Sequence, residues 1–174
     1  MMTIYGSVSR GLFRLTLAIV ASALVWAGVG IGGIAPASAY EVWLTDQSDT
    51  AKESGGFLHI YDGAALGANP ATVKPAVTID LSGEINTFCE AATKKPVRRP
   101  HMLFFNKDQS HVILSFLSGH VLFMDAKTHK PEACLSMGKN AHAAWPTPNQ
   151  KMAIAANIIE KKFTRIWTDY AAHT

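Results

Sequence analysis

The sequence predicts an all-β fold built from repeated four-stranded units, and two matching pairs of segments carry this prediction. HMLFFNKDQSHVILSF, which begins at His101, matches in kind the stretch that begins at His142, 41 residues further on. GFLHIYD at 56–62 matches GHVLFMD at 119–125, since each has a turn glycine, an apolar strand and a closing aspartate that can bind backbone groups. A four-stranded unit that repeats about every 40–45 residues is typical of a β-propeller blade.

Short apolar stretches alternate with turn residues from Tyr40 onward, and no long segment has a helical period. Turn signals such as Ser118-Gly119 and Pro148-Asn149 separate the stretches. The predicted strands span residues 40–47, 57–63, 75–81, 101–105, 111–117, 120–126, 132–137, 142–145, 151–158 and 163–169.

The repeat sorts these strands into about two and a half β-propeller blades of four antiparallel strands, which form an incomplete ring. Blade 1, about residues 40–81, lacks its innermost strand. Blade 2, about 100–138, is complete, and blade 3, about 141–169, lacks its outermost strand. Closed propellers typically have four to eight blades. We therefore expect residues 40–174 to be part of a longer propeller, with a ring assembled from several copies as the alternative.

Residues 1–39 have the pattern of a secretory signal peptide. Arg10 and Arg14 precede an uncharged stretch over 15–35, and the segment ends in Ala37-Ser38-Ala39, a small-residue cleavage site. The pattern predicts a periplasmic or secreted protein. An uncleaved anchor, which would tie the chain to a membrane, is the alternative.

Charge argues against a nucleic-acid partner. The formal net charge is +3, and removal of the two signal arginines lowers it to about +1. The basic run KKPVRRP at 94–100 contains no aromatic residues, so it reads as a solvated loop rather than a nucleic-acid patch.

Two cysteines, Cys89 and Cys134, follow the signal segment. An oxidising compartment favours a disulfide between them, while two separate thiols are equally compatible with the sequence. The chain has no Cys-x-x-Cys pair for a thiolate zinc site or a thioredoxin-like motif.

Matching histidines at the start of the predicted inner strands are the candidate site. His101 and His142 occupy equivalent positions in blades 2 and 3, so both imidazoles are expected on one face of the ring. Convergent histidines can hold copper or contact a haem. Alternatively, each histidine bonds a neighbouring blade and spaces the inner strands. Arg99 is a further candidate, as an anion contact at the same channel mouth.

TPNQK at 147–151 and the AIAAN that follows resemble the YVTN-type β-propeller repeat of secreted bacterial proteins. That superfamily includes lactonase-like propellers, the nitrous-oxide reductase propeller and the cytochrome d1 domain. The resemblance covers most of residues 40–169. At the position of the name-giving tetrapeptide this chain has Ile154-Ala155-Ala156-Asn157.

These observations favour an exported propeller fragment that acts as a non-catalytic binding scaffold, with a small molecule or a protein as partner at the channel mouth. The resemblance implies two alternatives: part of a periplasmic redox propeller that binds copper or haem, or part of a lactonase-like hydrolase. Beyond residue 40 the chain has neither a G-x-S-x-G elbow nor an H-E-x-x-H helix. No metal, cofactor or enzymatic activity is assigned from the sequence.

Overall fold

The structure, a computed structural model, describes residues 40–47 and 55–172. The predicted signal peptide lies outside the described residues, as does His173. No helix in the described part of the chain is long and apolar enough to cross a membrane.

Ten strands and two helices are present in the described residues. The strands coincide with the ten predicted from the sequence to within one or two residues at each end. Their bounds are β1 (Glu41–Asp46), β2 (Phe57–Asp62), β3 (Val77–Asp80), β4 (Pro100–Phe105), β5 (His111–Phe116), β6 (His120–Asp125), β7 (Pro131–Ser136), β8 (Ala141–Pro146), β9 (Met152–Asn157) and β10 (Lys162–Trp167). The helices are α1 (Gly63–Ala68) and α2 (Glu84–Thr93).

The strands form three antiparallel sheets, and these sheets are partial β-propeller blades. Blade 1 has the order β1-β2-β3, blade 2 the order β4-β5-β6-β7, and blade 3 the order β8-β9-β10. The predicted repeat has the same register in two blades, since Phe104 pairs with Ile113 in blade 2 and Trp145 with Ile154 in blade 3. The predicted fold class, with one complete blade between two three-stranded ones, is confirmed.

Turn chemistry repeats as well. Gly56 and Gly119, which precede β2 and β6, both have positive φ, at 118° and 95°, a conformation that glycine adopts without steric penalty. The closing aspartates accept backbone hydrogen bonds where the chain leaves each strand: Asp62 from Ala65 N–H at 2.7 Å, and Asp125 from Lys127 N–H at 3.0 Å.

The two helices were not predicted from the sequence. α2 is only ten residues long, so its period covers fewer than three turns. It buries Ile85 and Cys89 and ends at Lys94, whose left-handed backbone (φ 63°) lets its N–H donate to the carbonyl of Glu90. A disulfide joins Cys89 to Cys134 of β7 and holds α2 against the outer strand of blade 2.

Two apolar cores hold the sheets together. One combines blade 1, α2 and one face of blade 2, with Leu58, Ile85 and Leu114 among its fully or almost fully buried residues. The other lies between blades 2 and 3, where Phe123 of β6 packs near Ala144 and Ala155. Both faces of blade 2 are therefore covered, and β4 and β8 pack side by side as the first strands of adjacent blades.

Candidate functional site

The first strands of blades 2 and 3 are both irregular at their histidine. In β4, Pro100 pairs with Phe116 and Leu103 with Leu114, so His101 and Met102 together oppose Ser115. This is a β-bulge, in which two residues of one strand face one residue of its partner.

β8 repeats the irregularity. Ala141 pairs with Asn157 and Ala143 with Ala156, which leaves His142 as the extra residue. Bulges re-aim a side chain and increase the local twist of a strand. The two matched bulges turn His101 and His142 toward each other: their ring centroids lie 4.3 Å apart with the planes inclined at 46°. The structure therefore brings these two candidates together.

The hydrogen bond between the two bulges fixes one tautomer. His101 Nδ1 lies 3.2 Å from the carbonyl oxygen of His142. A carbonyl oxygen can only accept, so Nδ1 donates and carries the hydrogen. In the neutral imidazole, Nε2 then keeps its lone pair. The ring of His142 forms no hydrogen bond with the described residues, and both side chains are partly buried.

Two hydroxyl groups support the bulges from neighbouring strands. Thr45 Oγ1 of blade 1 donates to the carbonyl of His101 at 2.9 Å. Ser115 Oγ, fully buried, lies 3.0 Å from the carbonyl oxygen of His142 and 3.1 Å from that of Met102. The three blades are thus connected through the backbone of the histidine pair. Ser115 was not a candidate from the sequence, although the 41-residue repeat aligns it with Ala156, which has no hydroxyl group.

Arg99 has no side-chain hydrogen bond to the histidine pair in the described residues. Its backbone is left-handed (φ 57°) and its carbonyl accepts from Leu117 N–H. The residue is exposed, and its side chain makes no hydrogen bond or ion pair with any part of the chain that the structure describes. Within residues 40–47 and 55–172, no group of three or more His, Cys, Asp and Glu side chains is arranged to hold a metal ion. His101 and His142 would need ligands from elsewhere to complete a metal site.

His120 illustrates the structural use of a histidine in this fold. It is 1% exposed and links Ser118 to the end of α2, with Nδ1 2.9 Å from Ser118 Oγ and Nε2 3.0 Å from Thr93 Oγ1. Thr93 Oγ1 donates to the carbonyl of Cys89, so Nε2–H must donate to Thr93. Burial, together with the charge of Lys95, lowers the pKa of His120. A neutral imidazole satisfies both contacts.

His111, at the start of β5, is 4% exposed and lines a cavity between blades 2 and 3. Its side chain contacts Ser110, in the turn before β5, and Glu132 of β7. The sequence contained no signal for this arrangement, because Glu132 lies 21 residues further along the chain and follows no repeat pattern.

Comparison with known proteins supports the fold at low sequence identity. No protein-family profile matches the sequence, and no curated protein is significantly similar to it. Among solved structures, the Kuenenia stuttgartiensis hydrazine synthase is similar with a TM-score of 0.54 and 12% identity, over 74% of this chain and 41% of that one. The dihydro-heme d1 dehydrogenase NirN in complex with DHE is similar with a TM-score of 0.50 and 14% identity, over 73% of this chain and 21% of that one.

Both neighbours are β-propeller proteins, and together with the three sheets they place this chain in the β-propeller class. At 12–14% identity the likeness extends to the fold alone. The chain spans less than half the length of either neighbour.

Proposed function

We propose that this protein is an exported β-propeller segment that acts as a binding scaffold, with its inner-strand mouth at His101 and His142 as the contact site for a small molecule or a protein partner. The observation that carries the proposal is the pair of matched bulges, which bring two partly buried imidazoles to a centroid distance of 4.3 Å. Repeated residues that meet at one end of a repeat array form a surface that a ligand can contact.

Export is part of this proposal, and two features support it. The first 39 residues have the charge and hydropathy pattern of a signal peptide. In addition, Cys89 and Cys134 are disulfide-bonded, and disulfides persist mainly in oxidising compartments. Mass spectrometry of the exported protein should find an N-terminus at Tyr40. A protein that retains Met1 and stays in the membrane fraction would contradict this part of the proposal.

Assignment to the YVTN-type repeat also belongs to the proposal. Its support is the turn before the second strand, which is repeated in blades 2 and 3. Asp108 accepts from Ser110 N–H and Asn149 accepts from Lys151 N–H, and the intervening Gln109 and Gln150 both have φ of 60°.

A redox propeller is the second candidate, and the tautomer of His101 favours it. Histidines that ligate metals commonly donate their other ring N–H to a carbonyl or carboxylate, which fixes the ring and directs the remaining nitrogen to the metal. His101 has this arrangement, with Nδ1–H on the His142 carbonyl and Nε2 as the remaining nitrogen. Copper or haem iron would then be bound by imidazole nitrogen, a ligand that suits both.

The two candidates differ in metal content and in the pattern of mutant effects. We would measure copper, iron and haem in the full-length protein purified from the exported fraction, and in the variants His101→Ala and His142→Ala. His59→Ala is the matched control, because it removes an imidazole from β2 of blade 1. The scaffold predicts no stoichiometric metal or haem in any of the four proteins.

Stability provides the second readout. His101→Ala should lower the free energy of unfolding by about 1–2 kcal/mol, because the carbonyl of His142 loses a donor. His142→Ala should have a smaller effect, since its ring donates no hydrogen bond to the described residues. The scaffold would be rejected if the protein contained stoichiometric copper or haem that is lost in both His101→Ala and His142→Ala but retained in His59→Ala. That result would establish the redox candidate. Effects of the two substitutions would then be strongly non-additive, because a ligand set fails as a unit.

A further inference from the structure

A cavity of about 170 Å³ lies between blades 2 and 3, formed by residues that the histidine pair does not involve. Apolar side chains from both blades form most of its wall: Phe123 and Leu135 from blade 2, and Ile166 and Trp167 from blade 3. An apolar cavity of roughly 150 Å³ is large enough to bind benzene. This cavity therefore has room for a single six-membered ring with one small substituent.

One end of the cavity is polar, with the side chains of His111, Glu132 and Tyr170. His111 Nε2 lies 2.9 Å from Glu132 Oε2, and the ring of Tyr170 lies 5.0 Å from that of His111. Burial raises the pKa of Tyr170, which keeps its hydroxyl neutral. Small-molecule sites combine apolar walls with a few fixed polar groups in this way.

A hydrogen-bond network behind His111 holds its ring in one orientation. Ser110 Oγ lies 2.7 Å from Asp108 Oδ1 and accepts from Asn106 Nδ2 at 3.0 Å. A carboxylate cannot donate, so the single hydroxyl hydrogen of Ser110 goes to Asp108. Ser110 Oγ must then accept from His111 Nδ1–H, 2.7 Å away. Nε2 is thereby directed toward Glu132 at the polar end of the cavity.

We propose that this inter-blade cavity is a binding site for a small neutral aromatic molecule that carries one hydroxyl group, the phenol class. The ring fills the apolar part of the cavity, and the hydroxyl donates to the carboxylate of Glu132. A charged amine fits less well, because Glu132 Oε2 already contacts His111 Nε2 at 2.9 Å, and the ammonium group would have to displace that contact to gain a counter-ion in a mostly apolar cavity. A purely apolar ring fits the same space but binds more weakly, because it has no hydroxyl group to donate to the carboxylate of Glu132.

The experiment compares phenol and toluene, which have the same number of non-hydrogen atoms, by ligand-observed NMR titration of the full chain. Phenol should bind with one-to-one stoichiometry, and toluene about tenfold more weakly, the ratio that corresponds to one hydrogen bond to a charged group. Benzylamine is the third probe and should bind more weakly than phenol. Equal affinities for phenol and toluene, or tighter binding of benzylamine, would refute the assignment of ligand class.

Two substitutions with matched controls locate the site. Ala133→Leu adds side-chain volume at the cavity wall and should abolish phenol binding, whereas Ala92→Leu, on the exposed face of α2, should leave it unchanged. Glu132→Gln should weaken phenol about tenfold, while Glu90→Gln on α2 should have no effect. If Ala133→Leu fails to fold by circular dichroism, Leu135→Phe serves as the filling variant. Phenol binding that survives cavity filling in a folded variant would place the site elsewhere and overturn the proposal.

Discussion

Blades 2 and 3 share one sequence repeat but differ in how completely their strands are buried. Every residue of β5 is buried, and so is all of β6 except Asp125. In β9, the equivalent of β5, buried residues alternate with half-buried ones. Neighbours on both faces produce the first pattern, and a neighbour on one face only produces the second. Burial in this repeat is therefore determined by the adjacent blade, not by the repeat itself.

The two blades also differ in side-chain size. The face of blade 3 that packs on blade 2 is rich in alanine, with Ala144, Ala153 and Ala155 among the buried residues. The opposing face of blade 2 carries Ile113 and Phe123. Small residues on one sheet let larger ones on the other fill the space between the sheets. The large side chains of β10 are not packed in this way: Phe163 and Trp167 are both more than 70% exposed.

Blades 2 and 3 differ in the disulfide, which ties only blade 2 to a helix. Its loss should cause the largest change in stability. Cys89→Ala/Cys134→Ala removes a cross-link between residues 45 positions apart. On the chain-entropy account, this should lower the free energy of unfolding by about 4 kcal/mol. Urea denaturation monitored by circular dichroism measures the change. Reduced wild-type protein is the control, since it lacks the bond but keeps the sulfur atoms. If the free energy of unfolding falls by less than about 1 kcal/mol in both the double variant and the reduced wild-type protein, the disulfide does not stabilise the fold as expected.

Equivalent isoleucines test whether the neighbouring blade determines burial. Ile113 and Ile154 occupy the same repeat position, but Ile113 is fully buried and Ile154 is half-buried. Ile113→Ala should cost about 2–5 kcal/mol, as is usual for a core isoleucine. Ile154→Ala should cost roughly half as much or less, because less apolar area returns to water. Thermal or denaturant unfolding of the two variants measures the difference. Equal losses would mean that the two faces are equally well covered.

Ser115 provides a smaller test at the histidine pair. Ser115→Ala removes the hydroxyl that contacts the carbonyls of His142 and Met102, and should destabilise the protein by about 1–3 kcal/mol, since buried carbonyl groups lose a partner. The reciprocal change Ala156→Ser, at the equivalent position of blade 3, should stay within about 0.5 kcal/mol because that site is only half-buried. The same unfolding measurement serves both. If the two substitutions have similar effects, Ser115 has no special role at the bulges.

The smallest expected effect is the pH dependence that arises from His120. Its pKa in the folded protein lies below its ordinary value of 6.5, mainly because of burial. The unfolded chain therefore binds a proton more readily than the folded protein does. As a result, the free energy of unfolding falls as the pH is lowered below 6.5. His120→Gln should reduce the slope of unfolding free energy against pH between 6.5 and 5. Asp108 and Asp125, whose pKa values are lowered by turn hydrogen bonds, act at more acidic pH. An unchanged slope in the variant would show that His120 is not responsible.

The strand pattern of this protein was predictable because short apolar runs alternate with strong turn signals. The register was predictable as well, since the repeat aligned His101 with His142 and the structure places them at matching bulges. α2 was not predictable with comparable ease. Its apolar residues Ile85, Phe88 and Cys89 have helical spacing, but over ten residues this signal is weak beside the surrounding strands.

Local chain chemistry determined the strands, the turns and the equivalence of the blades, because each depends on residues close in sequence. Tertiary structure alone decided which equivalent residues are buried, that Arg99 is exposed, and that His111 and Glu132 line one cavity with Tyr170. These groups come from different strands and blades, and no sequence spacing encodes their distances. The physical reason is that packing between sheets depends on the shape and size of both surfaces at once.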